Sequence, residues 1–424
     1  MKKLVYILIL ITLIITLGYF YKGFKENNLL VKKESNIEED IINNEKDEDI
    51  SNKDEVIKED EIQEIDIVAV GDFLIHKEIL ETQYNEESDS YDFKNTIQYV
   101  KGYLENASLT IANMEGTLSG IENFGYSGYP SFNAPDELAD TMKDAGIDLV
   151  NNMNNHTLDR SNKGFYRTRS FLEEKGFDVI GTRKDTNENR YVIKDVEGIK
   201  VGVTSYSYTV IGEEGRRALN GIVIDEEVEP LMNTYRYDTV DSDLENMKIE
   251  IDKMKADGAE VIVFYMHWGD EYALEPNEEQ TYMANYLASV GADIIFGTHP
   301  HSIQPIDVIT TESGKEVPVI YSMGNFLSSQ RTERIQNPYT EDGVIVSVKV
   351  TKDIEGNIKI DYPKYLPTWV NWFEKEGKLF YEVVPANIDN ADYLNDSGKI
   401  RVTESFNRTK GIIESYSDKV KLIN

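Results

Sequence analysis

From residue 65 onward, short apolar runs alternate with amphipathic segments, and this alternation constrains the fold more than any other feature of the chain. The apolar runs predict buried strands at 65–70, 109–113, 148–152, 177–180, 260–266, 294–296 and 317–322. The amphipathic segments predict helices at 135–145, 164–175 and 276–290. Strands and helices alternating at these lengths indicate an α/β architecture with helices flanking a sheet. Beyond about residue 343 the pattern predicts only strands, at 344–350 and 358–362.

Polar residues follow directly after these predicted strands. They are Asp72, Glu115, Asn155, His156, His267, His299, His301 and Asn325. Because ligand sites in α/β proteins collect at the carboxyl ends of strands, we expect these side chains to converge in one cleft. One histidine in such a place is more often a loop residue or a helix cap. All five histidines of the chain lie close to a predicted strand end, however, and the whole set indicates a metal site.

The donor types point to a divalent metal, one or two ions. The chain has no cysteine, so only nitrogen and oxygen ligands are available, which suits Mn, Zn or Fe. His299 and His301 flank Pro300 on a short loop and could face two neighbouring metals. Two metals about 3.5–4 Å apart could bind an oxyanion and activate a water. Either carboxylate, Glu115 or Asp72, could bridge such a pair.

Two adjacent residues complete this hypothesis. Asn155 can supply a neutral carbonyl oxygen as a ligand. His156 would then be free to act as a general acid toward a leaving group, because a histidine side chain titrates near neutral pH.

Composition excludes several other classes of protein. The 77 acidic and 44 basic side chains give a formal charge of −33. This charge argues against nucleic-acid binding, because such proteins neutralise phosphates with clustered Lys and Arg. Without cysteine the chain has no disulfide framework, no cysteine nucleophile and no lipidated cysteine anchor.

The first 64 residues differ from the rest of the chain. Residues 4–21 are an uncharged run of 18 residues, which predicts a single-pass transmembrane anchor after a cytoplasmic stub at 1–3. A cleaved signal peptide is the alternative, but the run is long for one and ends in aromatic residues. Residues 22–64 predict an acidic disordered tether, since 34–64 hold 14 acidic and three basic side chains and no aromatic residue. Charge alone leaves the orientation open, and the long acidic chain after the span favours an extracellular folded domain at the cell membrane.

Six motifs, taken in order, give the folded part a resemblance to a known family. They are Gly71-Asp72, Ala112-Asn113-Met114-Glu115, Asn154-Asn155-His156-Thr157-Leu158-Asp159, His267-Trp268-Gly269-Asp270-Glu271-Tyr272, Gly297-Thr298-His299-Pro300-His301 and Tyr321-Ser322-Met323-Gly324-Asn325-Phe326. They resemble the CapA family of bacterial capsule proteins, which are associated with poly-γ-glutamate synthesis and export. The resemblance covers residues 65–370 and leaves 371–424 as a carboxy-terminal extension, packed on the domain or trailing it. A single-pass anchor with an outward-facing domain is also how that family looks.

That family is similar in turn to the calcineurin-like metallophosphoesterases, which implies a four-layered α/β/β/α sandwich preceded by the transmembrane helix. The resemblance also implies a role for each residue of the cleft. A first metal would be held by Asp72 and His301 and a second by Asn155, His267 and His299, with Glu115 bridging the two and His156 as the catalytic histidine.

Three positions depart from the phosphoesterase pattern. Leu74 stands where a histidine is expected, and His76 would replace it only if the loop curls back. Glu115 replaces an aspartate and Asn154 a glycine. The candidate substrate-binding residues are Asn113, Trp268, Tyr272 and Asn325, although Trp268 and Tyr272 suit packing equally well.

The sequence leaves the function open between a capsule protein and two alternatives. The first hypothesis is a membrane-anchored CapA-type protein that acts in synthesis, export or anchoring of poly-γ-glutamate, or a related polymer, through a metal-binding cleft. Its expected partners are membrane polymer-synthase subunits and an anionic polymer. The alternatives are a metal-dependent hydrolase, a phosphoesterase or γ-glutamyl amidase unrelated to capsule, and a non-catalytic assembly subunit with a relic site. Whether the protein turns over a substrate is left open.

Overall fold

The computed structural model describes residues 62–375, 377–386 and 388–423, with the side chains of 388–390 excepted. The predicted stub at 1–3, the predicted anchor at 4–21 and nearly all of the predicted tether lie outside the described residues. Within the described part of the chain, no helix has both the length and the apolar character needed to cross a membrane.

The apolar runs of the sequence form most of the strands. The described strands are β1 (Gln63–Leu74), β2 (Tyr84–Asn85), β3 (Ser90–Tyr91), β4 (Leu109–Met114), β5 (Leu149–Asn151), β6 (Asp178–Ile180), β7 (Tyr191–Val196), β8 (Ile199–Ile211), β9 (Arg217–Leu219), β10 (Ile222–Val223), β11 (Thr234–Arg236), β12 (Val261–His267), β13 (Ile294–Thr298), β14 (Ile306–Thr310), β15 (Glu316–Ile320), β16 (Asn325–Ser328), β17 (Asp342–Lys352), β18 (Ile358–Ile360), β19 (Lys364–Lys375), β20 (Lys378–Pro385) and β21 (Lys421–Leu422).

Helices occupy the amphipathic segments between these strands. The described α-helices are α1 (Lys77–Gln83), α2 (Lys101–Glu105), α3 (Glu137–Asp144), α4 (Ser161–Glu174), α5 (Val240–Ala256), α6 (Glu278–Val290), α7 (Thr332–Ile335) and α8 (Asp396–Ile413). Asn277 and Gln280 form a capping box at the start of α6, which satisfies backbone N–H groups that would otherwise lack partners.

Two large sheets organise the described residues. The first has the strand order β20-β19-β17-β1-β4-β5-β6, and β16, β18 and β21 pair with β1, β17 and β19. The second has the order β10-β9-β8-β12-β13-β15-β14, and β7 and β11 both pair with β8. In the first sheet β1, β4, β5 and β6 run parallel, and in the second β8, β12, β13 and β15 do so. The carboxyl ends of these parallel strands therefore lie together at one edge of each sheet.

The apolar side chains form three layers of core between four layers of secondary structure. Alternate residues of β1 divide between them, with Ile67 facing the second sheet and Val68 facing the helices. The inner faces of the two sheets pack on each other through residues such as Ile67 and Val263. The outer face of the first sheet packs on α1 to α4, and that of the second packs on α5 and α6. The mixed α/β architecture predicted from the sequence is confirmed, in the order helix, sheet, sheet, helix.

The carboxy-terminal part differs from its prediction. Only strands are predicted beyond about residue 343, whereas α8 is an 18-residue helix. Its buried face includes Ser405 and Thr409 beside Val402 and Ile413, so the apolar periodicity of the segment is weak. The predicted boundary at 370 falls inside β19, and β20 and β21 pair with that strand. The described residues after 370 therefore continue the first sheet.

Candidate metal centre

The site lies where the carboxyl ends of strands from both sheets meet. Asp72 of β1 is in register with Asn113 of β4 on one side and with Asn325 of β16 on the other. Gly71, directly before Asp72, comes so close to the next loop that a Cβ there would lie 1.9 Å from the carbonyl oxygen of Gly324. Only glycine allows this approach, which lets the Asp72 amide donate to that carbonyl over 3.1 Å.

The second sheet contributes the histidines. His267 ends β12, and its neighbour in the register is Thr298 at the end of β13. His299 and His301 follow β13 and both have positive φ angles, of 100° and 53°. Such angles are rare for residues other than glycine and are found where the surrounding structure holds a functional geometry. The predicted Pro300 loop therefore presents both imidazoles to the cleft through an uncommon backbone conformation.

Two groups of three buried donors result, and they share one carboxylate. The first group is Asp72, Glu115 and His301, and the second is Glu115, His267 and His299. In each group the ligand atoms lie within 4.8 Å of one another. The first sheet supplies the carboxylates and the second sheet supplies the imidazoles, so a bound metal would join the two sheets.

The first group is closely interconnected. His301 Nδ1 lies 3.2 Å from Asp72 Oδ2 and 3.1 Å from Asn325 Oδ1. The other ring nitrogen of His301 lies 3.5 Å from Glu115 Oε1. Although burial lowers the pKa of His301, the Glu115 and Asp72 carboxylates raise it to about 9. In the protein alone, His301 is thus a cation that balances the two acids.

The second group is looser. His267 Nε2 lies 3.9 Å from Glu115 Oε1 and 3.0 Å from Asn155 Oδ1, which brings Asn155 beside the group as a further oxygen donor. Thr298 Oγ1 lies 3.1 Å from His267 Nδ1 and fixes the orientation of that ring. Burial and the neighbouring histidines lower the pKa of His267 and His299 well below the usual range, so both are neutral. Neutral imidazole is the form that binds a metal.

Two buried polar atoms of the cleft have no hydrogen-bond partner among the described residues. They are Glu115 Oε1 and His299 Nδ1, one from each kind of donor. A buried polar atom without a partner is costly, and burial, aided by the Asp72 carboxylate and opposed by His301, raises the pKa of Glu115 well above its usual range. A divalent cation between the two groups would satisfy both atoms. The residues therefore fit a metal bound by nitrogen and oxygen ligands.

Asn113 connects the carboxylates to the loop that carries His156. Its amide nitrogen donates to Asp72 Oδ1 over 2.7 Å and lies 3.4 Å from Glu115 Oε2. Its amide oxygen accepts from Asn151 over 2.9 Å and from Asn154 over 3.2 Å. With this side chain fully enclosed in the protein, its position suits orientation of the metal ligands rather than the predicted contact with substrate.

His156 lies beside the two groups but belongs to neither. Its Nδ1 is 2.7 Å from Asp159 Oδ2, which favours the tautomer with the proton on Nδ1. The Phe132 ring packs edge-on against His156 with the centroids 4.7 Å apart. Asn220 reaches across from the turn between β9 and β10 and lies 3.3 Å from both ring nitrogens of His156.

Three of these neighbours have no role in the sequence prediction. Asp159 is the last residue of the third motif, three residues after His156. This spacing could have predicted a carboxylate paired with the histidine. Asn220-Gly221 is a typical hairpin turn, which predicts the turn but not its contact with the histidine. Phe132 carries no local signal, because its packing depends on the tertiary fold.

The remaining candidate residues lie at different distances from the donor groups. Asn325 lies at His301, as described, and its amide nitrogen donates to Thr340 O over 3.0 Å. Tyr272 is at the rim, 38% exposed, with its ring centroid 6.4 Å from that of His301. For Trp268, which suited packing and substrate binding equally in the sequence, the structure favours packing. This residue is fully buried in the core between the second sheet and its helices, and its indole N–H donates to Tyr321 O over 2.8 Å.

The expected histidine at Leu74 is not replaced by His76. Leu74 is buried, and His76 Nδ1 bonds the Leu74 carbonyl over 3.1 Å instead of joining either donor group. Burial lowers the pKa of His76 to about 4. The first group therefore lacks the second imidazole that the phosphoesterase pattern contains.

Several known proteins are similar to the chain. Residues 66–330 match the model of a family described as bacterial capsule synthesis protein PGA_cap. The capsule biosynthesis protein CapA of Bacillus anthracis is 25% identical over 294 residues, which are 68% of this chain and 65% of that protein. The PGA biosynthesis protein CapA of Bacillus subtilis is 24% identical over 292 residues, 69% of each chain. The matched region thus spans about two thirds of the length of these relatives.

One solved structure, the NAD nucleotidase of Haemophilus influenzae, is 14% identical with a TM-score of 0.44 and covers 86% of this chain and 64% of its own. That likeness is too weak to bear on function. The resemblance predicted from the six motifs is confirmed by the family match. Because the model matches more than half of the chain, the chain belongs to the bacterial capsule synthesis protein family PGA_cap.

Proposed function

We propose that the chain is a membrane-anchored, extracellular capsule biosynthesis protein of the CapA type. In this proposal it acts in synthesis, export or anchoring of poly-γ-glutamate, or a related anionic polymer, through its metal-binding cleft. The observation that carries the proposal is the pair of buried donor groups that share Glu115. The family match supports the link to capsule.

Electrostatics explain why such a protein would need a metal. The chain carries a formal charge of −33 and would repel a polyanion at long range. A bound divalent metal supplies a Lewis acid that attracts an oxyanion and makes a bound water more acidic. His301 would give up its proton to bind the ion, so the attraction for an oxyanion would come from the metal itself. Carboxylates of a polymer would then bind at the cleft in spite of the acidic surface.

A metal-dependent hydrolase is the second candidate, and one pair of residues favours it. His156 is held by Asp159 over 2.7 Å, the arrangement of an oriented general acid or base. With the Nδ1 proton directed at Asp159, the Nε2 atom would exchange a proton with a leaving group that displaces the Asn220 amide, which lies 3.3 Å away. The substrate would be a phosphoester or a γ-glutamyl amide.

Metal content per chain is the first measurement. The full-length chain and His299→Ala would be loaded with Mn, Zn or Fe and analysed by elemental mass spectrometry. One or two equivalents in the wild type, falling in the variant, are expected. No metal in the wild type after loading would contradict the proposed use of the cleft.

One substitution, His156→Asn, then distinguishes a binding role in capsule assembly from catalytic turnover of a substrate. Cells lacking the chain would be complemented with the wild type or this variant, and their surface polymer measured. In parallel, the purified chains would be incubated with phosphoesters and γ-glutamyl oligomers. Loss of turnover by about 10²–10⁴-fold at full metal content supports the hydrolase. Normal polymer with the variant, and no turnover by the wild type, supports a binding role in capsule assembly.

The proposed location has its own test. Intact cells would be treated with an external protease, and the chain detected in the membrane fraction. Cleavage of the folded part in intact cells is expected. Full protection would contradict an extracellular domain.

A further inference from the structure

A second cavity lies away from the donor groups, against the second sheet. It has a volume of about 630 Å³. Its walls come from the residue before β7, from β8 and β9, and from α5. The polar lining residues used below are Arg190, Tyr206, Arg217, Glu229, Glu250 and Lys253.

Arg190 is a cation without an acidic partner among the described residues. Its guanidinium donates to Met232 O over 2.9 Å, to Asn233 Oδ1 over 2.8 Å and to Pro230 O over 3.4 Å. Arg217, in the same cavity, is instead paired with Asp243 over 2.8 Å. In so acidic a chain an arginine bound only to neutral oxygens keeps its full charge for a ligand.

Tyr206 adds a donor without a partner. Its side chain is 4% exposed, and its ring stacks on Phe264 with the centroids 6.1 Å apart. Its hydroxyl makes no hydrogen bond with the described residues and is not one of their buried atoms without a partner, so this oxygen opens into the cavity. Burial raises the pKa of Tyr206, so the hydroxyl stays protonated. The ring is therefore fixed with its O–H available to an acceptor.

The cavity also has an acidic side. Glu250 of α5 is 8% exposed, and its only partner among the described residues is Lys253, over 2.8 Å. Glu229 lies at the rim and approaches Arg217 no closer than 3.9 Å. A lining with both signs of charge selects neither a polyanion nor a polycation.

We propose that this cavity binds a small zwitterion, with its carboxylate on Arg190 and the Tyr206 hydroxyl and its ammonium on Glu250. This chemistry belongs to a free α-amino acid and equally to the amino end of a γ-linked glutamyl chain, which keeps a free α-carboxylate beside its ammonium. None of these residues is in a donor group of the metal centre, so the site is independent of metal loading and of the proposed function.

Calorimetry with the full-length chain tests the proposal, using five probes. Alanine, glutamate and γ-glutamylglutamate carry both charges, whereas glutarate lacks the ammonium and putrescine lacks the carboxylate. Saturable binding of the zwitterions is expected, with glutarate and putrescine weaker by about tenfold or more. Tighter binding of the dipeptide than of the amino acids would identify a chain end as the ligand. Tighter binding of the amino acids would identify a free amino acid.

Two matched variants on one strand locate the site. Tyr206→Phe removes a hydroxyl that has no partner among the described residues, so folding should be unchanged while binding weakens by about tenfold or more. Tyr208→Phe, two residues along β8, should leave binding unchanged, because the Tyr208 ring lies beside His299 with the centroids 4.8 Å apart. Absence of saturable binding of any probe, or equal binding by Tyr206→Phe, would overturn the proposal.

Discussion

The two donor groups that share Glu115 differ in how far the protein alone satisfies them. In the first, His301 is a cation held by Asp72 and Asn325, with its pKa raised to about 9. In the second, burial keeps His267 and His299 neutral, and His299 Nδ1 has no partner among the described residues. A metal entering the first group must displace a proton, whereas the second group offers ligands in their binding form.

The imidazole ligands point the same way. The second group has two of them, His267 and His299, with Asn155 Oδ1 3.0 Å from His267 Nε2 as a further donor. The first group has one, His301, with Asn325 Oδ1 at 3.1 Å, because Leu74 stands where another histidine would complete it. We therefore expect one tight ion at the second group and a weaker one at the first.

The largest effect should come from Glu115→Gln, which removes the carboxylate common to both groups. Affinity for both ions should fall by more than the 10–100-fold that is typical of an outer-shell partner. The stabilisation of the protein by added metal should shrink accordingly, because the stabilisation depends on the affinity for the ion. Metal titration and thermal unfolding with and without metal measure the two effects.

Glu382→Gln is the matched control, since Glu382 is also buried but bonds Asn371 over 2.9 Å, outside the donor groups. Its metal content should equal that of the wild type. Retention of both ions by Glu115→Gln would show that the two groups do not form one centre.

His299→Ala and His301→Ala each remove an imidazole from one donor group only, so they test which group holds the tighter ion. His299→Ala should remove the tight ion and leave weak binding, and His301→Ala should do the reverse. Titration of each variant with a single metal, followed by elemental analysis, distinguishes them. If His301→Ala lost the tight ion instead, the first group would be the stronger one and the reasoning from protonation would be wrong.

A smaller effect is expected for Asn113→Leu. This change removes the amide that donates to Asp72 and accepts from Asn151 and Asn154. Metal affinity should fall by about 10–100-fold, and the free energy of unfolding by about 1–3 kcal/mol for the partners left unpaired. Asn371→Leu, at a buried amide of the same sheet, should lower stability without changing affinity for metal.

How much of this was predictable depends on whether the signal is local. A few consecutive residues are enough to show where a buried strand ends. The sequence therefore predicts Asp72, Glu115, His267 and His299 together at the carboxyl ends of strands. The contacts of His156 were not predicted, because Asn220 and Phe132 reach it from distant parts of the chain. The helix α8 was missed since Ser405 and Thr409 lie on its buried face and interrupt the apolar period.

Trp268, which suited packing and substrate binding equally in the sequence, lies in the packing layer, and its substitution should have the smallest effect on the metal. It follows His267 directly, so its side chain points to the opposite face of the strand, into the outer core. Trp268→Phe should lower the free energy of unfolding by about 1–3 kcal/mol, because it leaves a small cavity and the Tyr321 carbonyl without its donor. Metal content and any turnover should match the wild type. A loss of metal in this variant would mean that the core between the second sheet and its helices positions His267. Trp268 would then contribute to the metal centre and not only to packing.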